Sequence, residues 1–204
     1  MGLFPLKGRA QFLGRSRRTL EELQALGAAA TAGGMQTLAK LTGTAVRAER
    51  THVYLVPRAR VAALLAHHAG AEIAARFQVT GANPGVVATL FAKDDAVRLV
   101  ELLMGREPGA VKRLGPVEES AVAEMTNIAL NGCLNAVSER DGTRFATGVP
   151  EVHYRVKDPG AFFAFDAPAE VDHAVVVETP FVEPTRGVEG HVVLLFGVAR
   201  GGEE

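Results

Sequence analysis

One stretch of the chain, GPVEESAVAEMTNIALNGCLNAVSER over residues 115–140, sets polar side chains in a regular order. Ser120, Glu124, Asn127, Asn131 and Asn135 recur at spacings of four, three, four and four. On a helix these positions form one ridge along a single face. A carboxylate on such a ridge can pair with a cation, and a carboxamide both accepts through its oxygen and donates through its nitrogen. Asparagine is a poor helix former, so three of them at ridge spacing cost stability that an ordinary face does not require. The apolar residues Val117, Ala121, Met125, Ile128, Ala129, Cys133, Ala136 and Val137 read as the core stripe opposite. A plain solvated helix face is the competing reading of the same ridge.

The elements that must hold this ridge come in two similar sets. Leu20, Leu23, Leu26, Met35, Leu38 and Leu41 recur near the helical period, which predicts a long helix from Arg18 to Leu41 ended by Gly43. Strands are expected at Val46–Val56, Ala74–Val79 and Val86–Phe91, with short helices at Arg58–His68 and Asp94–Met104. After a polar stretch from Gly105 to Pro116 the order starts again. A second long helix covers about 117–139, followed by strands at Thr143–Thr147, Val152–Val156, Ala174–Glu178 and Val188–Phe196, with Ala161–Phe165 ambiguous. Sliding the chain on itself by 99 places Gly33 on Gly132, Gly43-Thr44 on Gly142-Thr143 and Val53 on Val152, while 105 suits the last strands better. The expected fold is α+β, a pseudo-two-fold duplicated unit in which two long helices pack on a largely antiparallel β-sheet. Residues 1–17 read as a basic arm, frayed or docked, and 18–204 as one domain made of two copies, about 18–105 and 115–200.

Composition narrows the function classes. With 204 residues, 48% apolar and 22% charged, the chain can build a core of its own. Lys and Arg total 22 against 23 acids, so no global field attracts nucleic acid or an anionic membrane. The single cysteine, Cys133, excludes an intrachain disulfide and any multi-cysteine metal centre, and cytoplasm is the expected compartment. The longest nearly apolar run, Val192–Ala199, falls far short of the roughly 18 residues of a membrane span. There is no GxxxxGK[ST] loop, GxGxxG, GxSxG or HExxH. His67 and His68 are adjacent, and His52, His153, His173 and His191 lie in or beside strand-like segments, so the six read as ordinary surface or core histidines. Cys133 reads as a buried, inert thiol.

Ser120-x3-Glu124-x2-Asn127, followed after 22 intervening residues by Pro150, resembles the [D/S]-x3-E-x2-N-x22-P signature of the CheC/CheX/FliY family of chemotaxis phosphatases. Glu118-Glu119-Ser120 and the Asn127-Ile128 step resemble that family's second-copy helix, Leu20–Gly43 reads like its first-copy helix, and the likeness spans about 18–198. The resemblance implies a CheC-like fold and a phosphatase acting on the aspartyl phosphate of a CheY-type response regulator. Asn127 would orient the attacking water and Glu124 would pair with the regulator's lysine. Ser120 and Pro150 would support the site, and Asn131 would be a further regulator contact. No cofactor of its own is implied. Mg²⁺ is expected to come with the regulator, since no cluster of acids surrounds Asn127. Further expected partners are CheD and a second copy of the chain, with no nucleic acid and no membrane span. At the offset of 99 the first copy offers Glu21, Ala25, Ala28 and Thr51 at the motif positions. Glu22 and Gln24, its nearest polar residues, fall elsewhere on the helix, so one working site is expected, in the second copy. The alternative is a non-catalytic binding module, of the flagellar switch or as a CheD-binding regulator.

Overall fold

The computed structural model describes residues 10–12, 16–81 and 83–200. A hairpin of β1 (Ala10–Phe12) and β2 (Ser16–Arg18) leads into α1 (Leu20–Thr42), β3 (Arg47–Ala48) and β4 (His52–Pro57). A 3₁₀ turn at Arg58–Arg60, α2 (Val61–Leu64) and a second 3₁₀ turn at Ala66–His68 precede β5 (Ile73–Thr80), β6 (Gly85–Phe91) and α3 (Lys93–Leu103). The second half runs α4 (Pro116–Asp141), β7 (Ala146–Thr147), β8 (Glu151–Tyr154), α5 (Pro159–Phe162), β9 (His173–Glu183) and β10 (Val188–Arg200).

Both long helices start and stop by local chemistry. Thr19 caps α1 through a capping box, its hydroxyl accepting from the Glu22 N–H while the Glu22 carboxylate accepts from the Thr19 N–H. In α4, Pro116 stands in the first turn and the Glu118 carboxylate accepts from the Gly115 N–H at 3.0 Å. Gly43 and Gly142, related by the offset of 99, end the two helices in the left-handed conformation at φ 69° and 67°, a conformation glycine adopts without a Cβ penalty.

The strands form one antiparallel sheet in which β9, β10, β6 and β5 are central. β3 and β4 add to the outer side of β9, and β7 and β8 to the outer side of β5. Each half therefore sends its first two strands into the other half's side of the sheet. The registers give the duplication directly. Val53 stands opposite Val177 and Val152 opposite Ala75, so β4 maps on β8 with an offset of 99 and β5 on β9 with 102. Val86 stands opposite Leu195 and His191 opposite Leu90, which relates β6 to β10 by 105. The drift from 99 to 105 accumulates in two steps of three residues, one before β9 and one in the β9–β10 turn.

α1 and α4 cover one face of this sheet, where Leu23, Leu38, Met125 and Leu130 pack with Phe77, Val177, Leu194 and Phe196. The other face packs Ala74, Val176, Val193 and Leu195 under Leu65, Phe162 and Phe163 of the short helical segments. Strands buried on both faces read as continuous apolar runs rather than alternating ones. The two long helices meet where α1 carries Gly33 and Gly34 and α4 carries Gly132 and Cys133. A Cβ on Gly33 would lie 2.8 Å from the Gly132 carbonyl oxygen and 2.8 Å from the Ala136 Cβ.

Several elements differ from the sequence reading. Val46–Val56 is two strands separated by Glu49–Thr51, and Thr143–Thr147 keeps only Ala146–Thr147. Of Ala161–Phe165, Ala161 and Phe162 close the single-turn helix α5, capped by Asp158, whose carboxylate accepts from the Ala161 N–H at 3.2 Å, and the rest is turn and loop. β9 continues through Pro180 to Glu183. In a strand the N–H and C=O of a residue point to the same neighbour, and the Pro180 carbonyl accepts from the Glu49 N–H at 2.8 Å. The missing donor of Pro180 thus faces the break between β3 and β4, where a proline is tolerated. Of the basic arm, Ala10–Phe12 and Ser16–Arg18 are docked as a hairpin on the end of β10, and residues 1–9 and 13–15 lie outside the described residues.

Candidate active site

Helix α4 buries Val122, Met125, Thr126, Ala129, Leu130, Cys133, Leu134 and Val137. This stripe differs from the expected one. Ala121, Ile128 and Ala136 are only half-buried, and Val117 is 60% exposed. The reason lies in two neighbours: α4 packs against α1 through Gly132 and Cys133 and against the sheet through Thr126, so its buried face is wider and rotated. Thr126 is fully buried, with its hydroxyl 2.8 Å from that of Thr89 in β6. That bond fixes the helix to the sheet one residue before Asn127.

The ridge faces outward. Ser120, Glu124 and Asn135 are exposed, and Asn127 and Asn131 are half-exposed. Among the described residues Glu124 has no hydrogen-bond or ion-pair partner, whereas its acidic neighbours are engaged. Glu118 is bonded by the Gly115 N–H and lies 2.9 Å from the Arg106 guanidinium. Its own backbone N–H and that of Gly115, with Arg106, hold its carboxyl below the usual carboxylate range. Glu119 accepts a hydrogen bond from the Tyr154 hydroxyl of β8. Burial first, and then the Glu119 carboxylate, push that phenol up to about 12.

Asn131 has a defined job in this arrangement. Its Nδ2 donates to the Asn127 Oδ1 at 2.8 Å and to the Asn127 carbonyl at 2.8 Å. The side-chain bond fixes the Asn127 carboxamide with its oxygen toward Asn131 and leaves one lone pair of Oδ1 and both Nδ2 hydrogens for other partners. Pro150 is half-buried at the end of the loop that joins β7 to β8, and it immediately precedes β8. Gly148 in that loop donates to the Gln78 carbonyl at 2.9 Å. Next to Pro150, Val149 is 84% exposed. Val117 lies two turns before Glu124, on the same side of the helix, so an apolar residue joins the polar ridge. Sequence reasoning missed this because it assigned Val117 to the core.

The corresponding face of α1 is equally open but chemically blank. Glu21, Ala25 and Ala28 are exposed there, and neither the second carboxylate position nor the carboxamide position is filled. Cys133 is fully buried at the helix crossing, and burial pushes its thiol up to about 12, so it stays protonated and unreactive.

The histidines are not all ordinary. His67 and His68, on a 3₁₀ turn rather than the expected continuous helix, both approach Glu178 of β9 on the sheet face away from α1 and α4. His191 of β10 stands beside them, its ring 5.2 Å from that of His68. Burial alone would push the Glu178 carboxyl up. The close imidazoles of His68 and His67 outweigh it and bring the carboxyl down to about 2. Burial and the neighbouring His68 lower His191.

No protein-family model matches this chain, and no curated protein matches it in sequence. Solved structures do. CheX from Desulfovibrio desulfuricans is 18% identical with a TM-score of 0.59, covering 84% of this chain and 99% of that one. Thermotoga maritima FliY is 18% identical with a TM-score of 0.61, covering 86% of this chain and 90% of that one. A chain of the Borrelia burgdorferi CheX-CheY-BeF3-Mg²⁺ complex is 11% identical with a TM-score of 0.54, covering 82% of this chain and 96% of that one. The fold is therefore α+β of the kind found in CheX and FliY. Within that class the chain has the CheC/CheX/FliY family fold. Among the described residues no helix is long and apolar enough to cross a membrane.

Proposed function

We propose that this protein hydrolyses the aspartyl phosphate of a CheY-type response regulator, using the exposed face of α4. The observation that carries the reading is the pairing of two neighbours on that face: Glu124, without a partner among the described residues, and Asn127, with its carboxamide oriented by Asn131. Hydrolysis of an acyl phosphate through a loose transition state demands little covalent chemistry and much positioning of the water. The Asn127 oxygen accepts a hydrogen bond from the water, and its amide group donates toward developing negative charge, where a carboxylate would repel the phosphoryl group. The water oxygen bonds to phosphorus as the bond from phosphorus to the aspartyl oxygen breaks, releasing the regulator's carboxylate and inorganic phosphate. Glu124 anchors the complex by pairing with a lysine beside the phosphorylated aspartate. Val117 and Val149 supply apolar contact at the rim, and Mg²⁺ arrives bound to the regulator.

Likeness in fold to a chain of a solved CheX-CheY complex supports this reading. Mixing the protein with phosphorylated regulator and following phosphate release tests it. Release well above the regulator's own rate is the expected result. Saturable binding with no acceleration would instead identify a docking module.

A further inference from the structure

The cluster on the opposite sheet face has a chemistry of its own. His67 Nε2 and His68 Nε2 stand 2.7 and 2.8 Å from the same oxygen, Glu178 Oε1, and His191 Nδ1 stands 3.9 Å from it. One donor atom from each of His67, His68 and Glu178 falls within 4.8 Å of the others. His68 is 5% exposed and Glu178 7%. The three imidazoles border an open cleft of about 540 Å³.

Proton placement decides what such a group wants. His67 Nδ1 contacts the Leu64 carbonyl at 3.1 Å, and a carbonyl only accepts, so Nδ1 carries the hydrogen. His67 Nε2 then faces Glu178 Oε1 at 2.7 Å, a pair that a proton or a metal ion can bridge. His68 Nε2 is buried and, despite its proximity to Glu178, has no hydrogen-bond partner among the described residues, and His191 Nδ1 is likewise buried without one. Buried polar atoms left in this way are costly. A cation among the three nitrogens and the carboxylate would satisfy them together. The Leu64 contact is the outer bond that a metal-bound histidine ordinarily makes through its second nitrogen.

We infer that His67, His68, Glu178 and His191 form a binding site for a divalent transition metal ion of the zinc class. The donor set is nitrogen-rich, which suits Zn²⁺ and disfavours Mg²⁺ and Ca²⁺. Ligands about 2 Å from a tetrahedral zinc are about 3.3 Å apart. To reach that spacing, the His67 and His68 separations from Glu178 must open by about half an ångström and that of His191 must close by a similar amount. The ion would tie the Ala66–His68 turn to β9 and β10. The site is peculiar to one half of the duplication. At the offset of 102, Arg76 takes the place of Glu178, and it pairs instead with Glu151 at 3.4 Å.

The test uses the whole chain freed of metal with a chelator. Zn²⁺ binding is followed by calorimetry, and Co²⁺ binding by its visible spectrum. One equivalent is expected, with tetrahedral Co²⁺ bands displaced by Zn²⁺ and not by millimolar Mg²⁺, and with a rise in the thermal unfolding midpoint. His67→Gln, at a largely exposed ring, and Glu178→Gln should each weaken Zn²⁺ binding about tenfold or more; Asn127→Ala should leave it unchanged. Absence of stoichiometric binding, or binding of equal strength in a folded His67→Gln protein, would overturn the assignment. Neither result bears on phosphatase activity, which is read separately with the regulator.

Discussion

Asn127 and Asn131 divide one task. The bond from Asn131 Nδ2 to Asn127 Oδ1 removes rotational freedom from the carboxamide before any partner arrives, and preorganised polar groups are the ones that stabilise developing charge. On the proposed reading Asn131 acts as a positioning residue, where the sequence predicts a regulator contact. Asn131→Ala should slow phosphate release at saturating regulator while leaving regulator affinity unchanged; a loss of affinity alone would assign it to docking. Glu124→Ala should do the reverse in part, weakening the complex and lowering the rate with it, because it removes an interfacial charge partner. Titration of phosphorylated or beryllofluoride-activated regulator against each variant separates the two effects.

At the level of elements, the site depends on how closely α1 and α4 approach. The crossing admits no side chain at Gly33, where an added Cβ meets the Gly132 carbonyl and Ala136. Alanine in a helix is favoured over glycine by about 1 kcal/mol, so Gly33→Ala would stabilise an isolated helix. Here overpacking against backbone reverses the sign, with an expected loss of about 1–3 kcal/mol in urea unfolding. The crossing was legible in the sequence, since Gly33 maps on Gly132 at the same offset that relates the helix-ending Gly43 and Gly142. The helical period and four-three spacing likewise put Ser120, Glu124, Asn127, Asn131 and Asn135 on one outward ridge. What escaped the sequence depends on a second contact surface. Val117 is apolar yet faces outward because α4 is rotated by α1, and β9 runs through Pro180 because β3 and β4 break opposite it. The histidine cluster draws on three segments separated by more than a hundred residues at the widest, so no local spacing announces it.

The whole molecule is a duplication whose copies have diverged in chemistry while remaining entwined in structure. β4 pairs with β9 and β8 with β5, so each half completes the other's sheet. Fragments cut in the Gly105–Gly115 segment should each fail to show cooperative unfolding alone and should regain it when mixed. Independent folding of either half would contradict the exchanged pairing. The α4 ridge belongs to one half, the α1 face opposite bears Ala25 and Ala28, and the histidine cluster lies on the other side of the sheet. On the proposed reading a single catalytic site follows from that asymmetry, and one substitution should silence it. The most direct measurement is phosphate release from a phosphorylated CheY-type regulator by Asn127→Ala beside the unaltered protein, with regulator affinity measured in parallel. The expected result is a fall of about 10²-fold or more with affinity retained; an Asn127→Ala protein that dephosphorylates the regulator at the original rate would contradict the account.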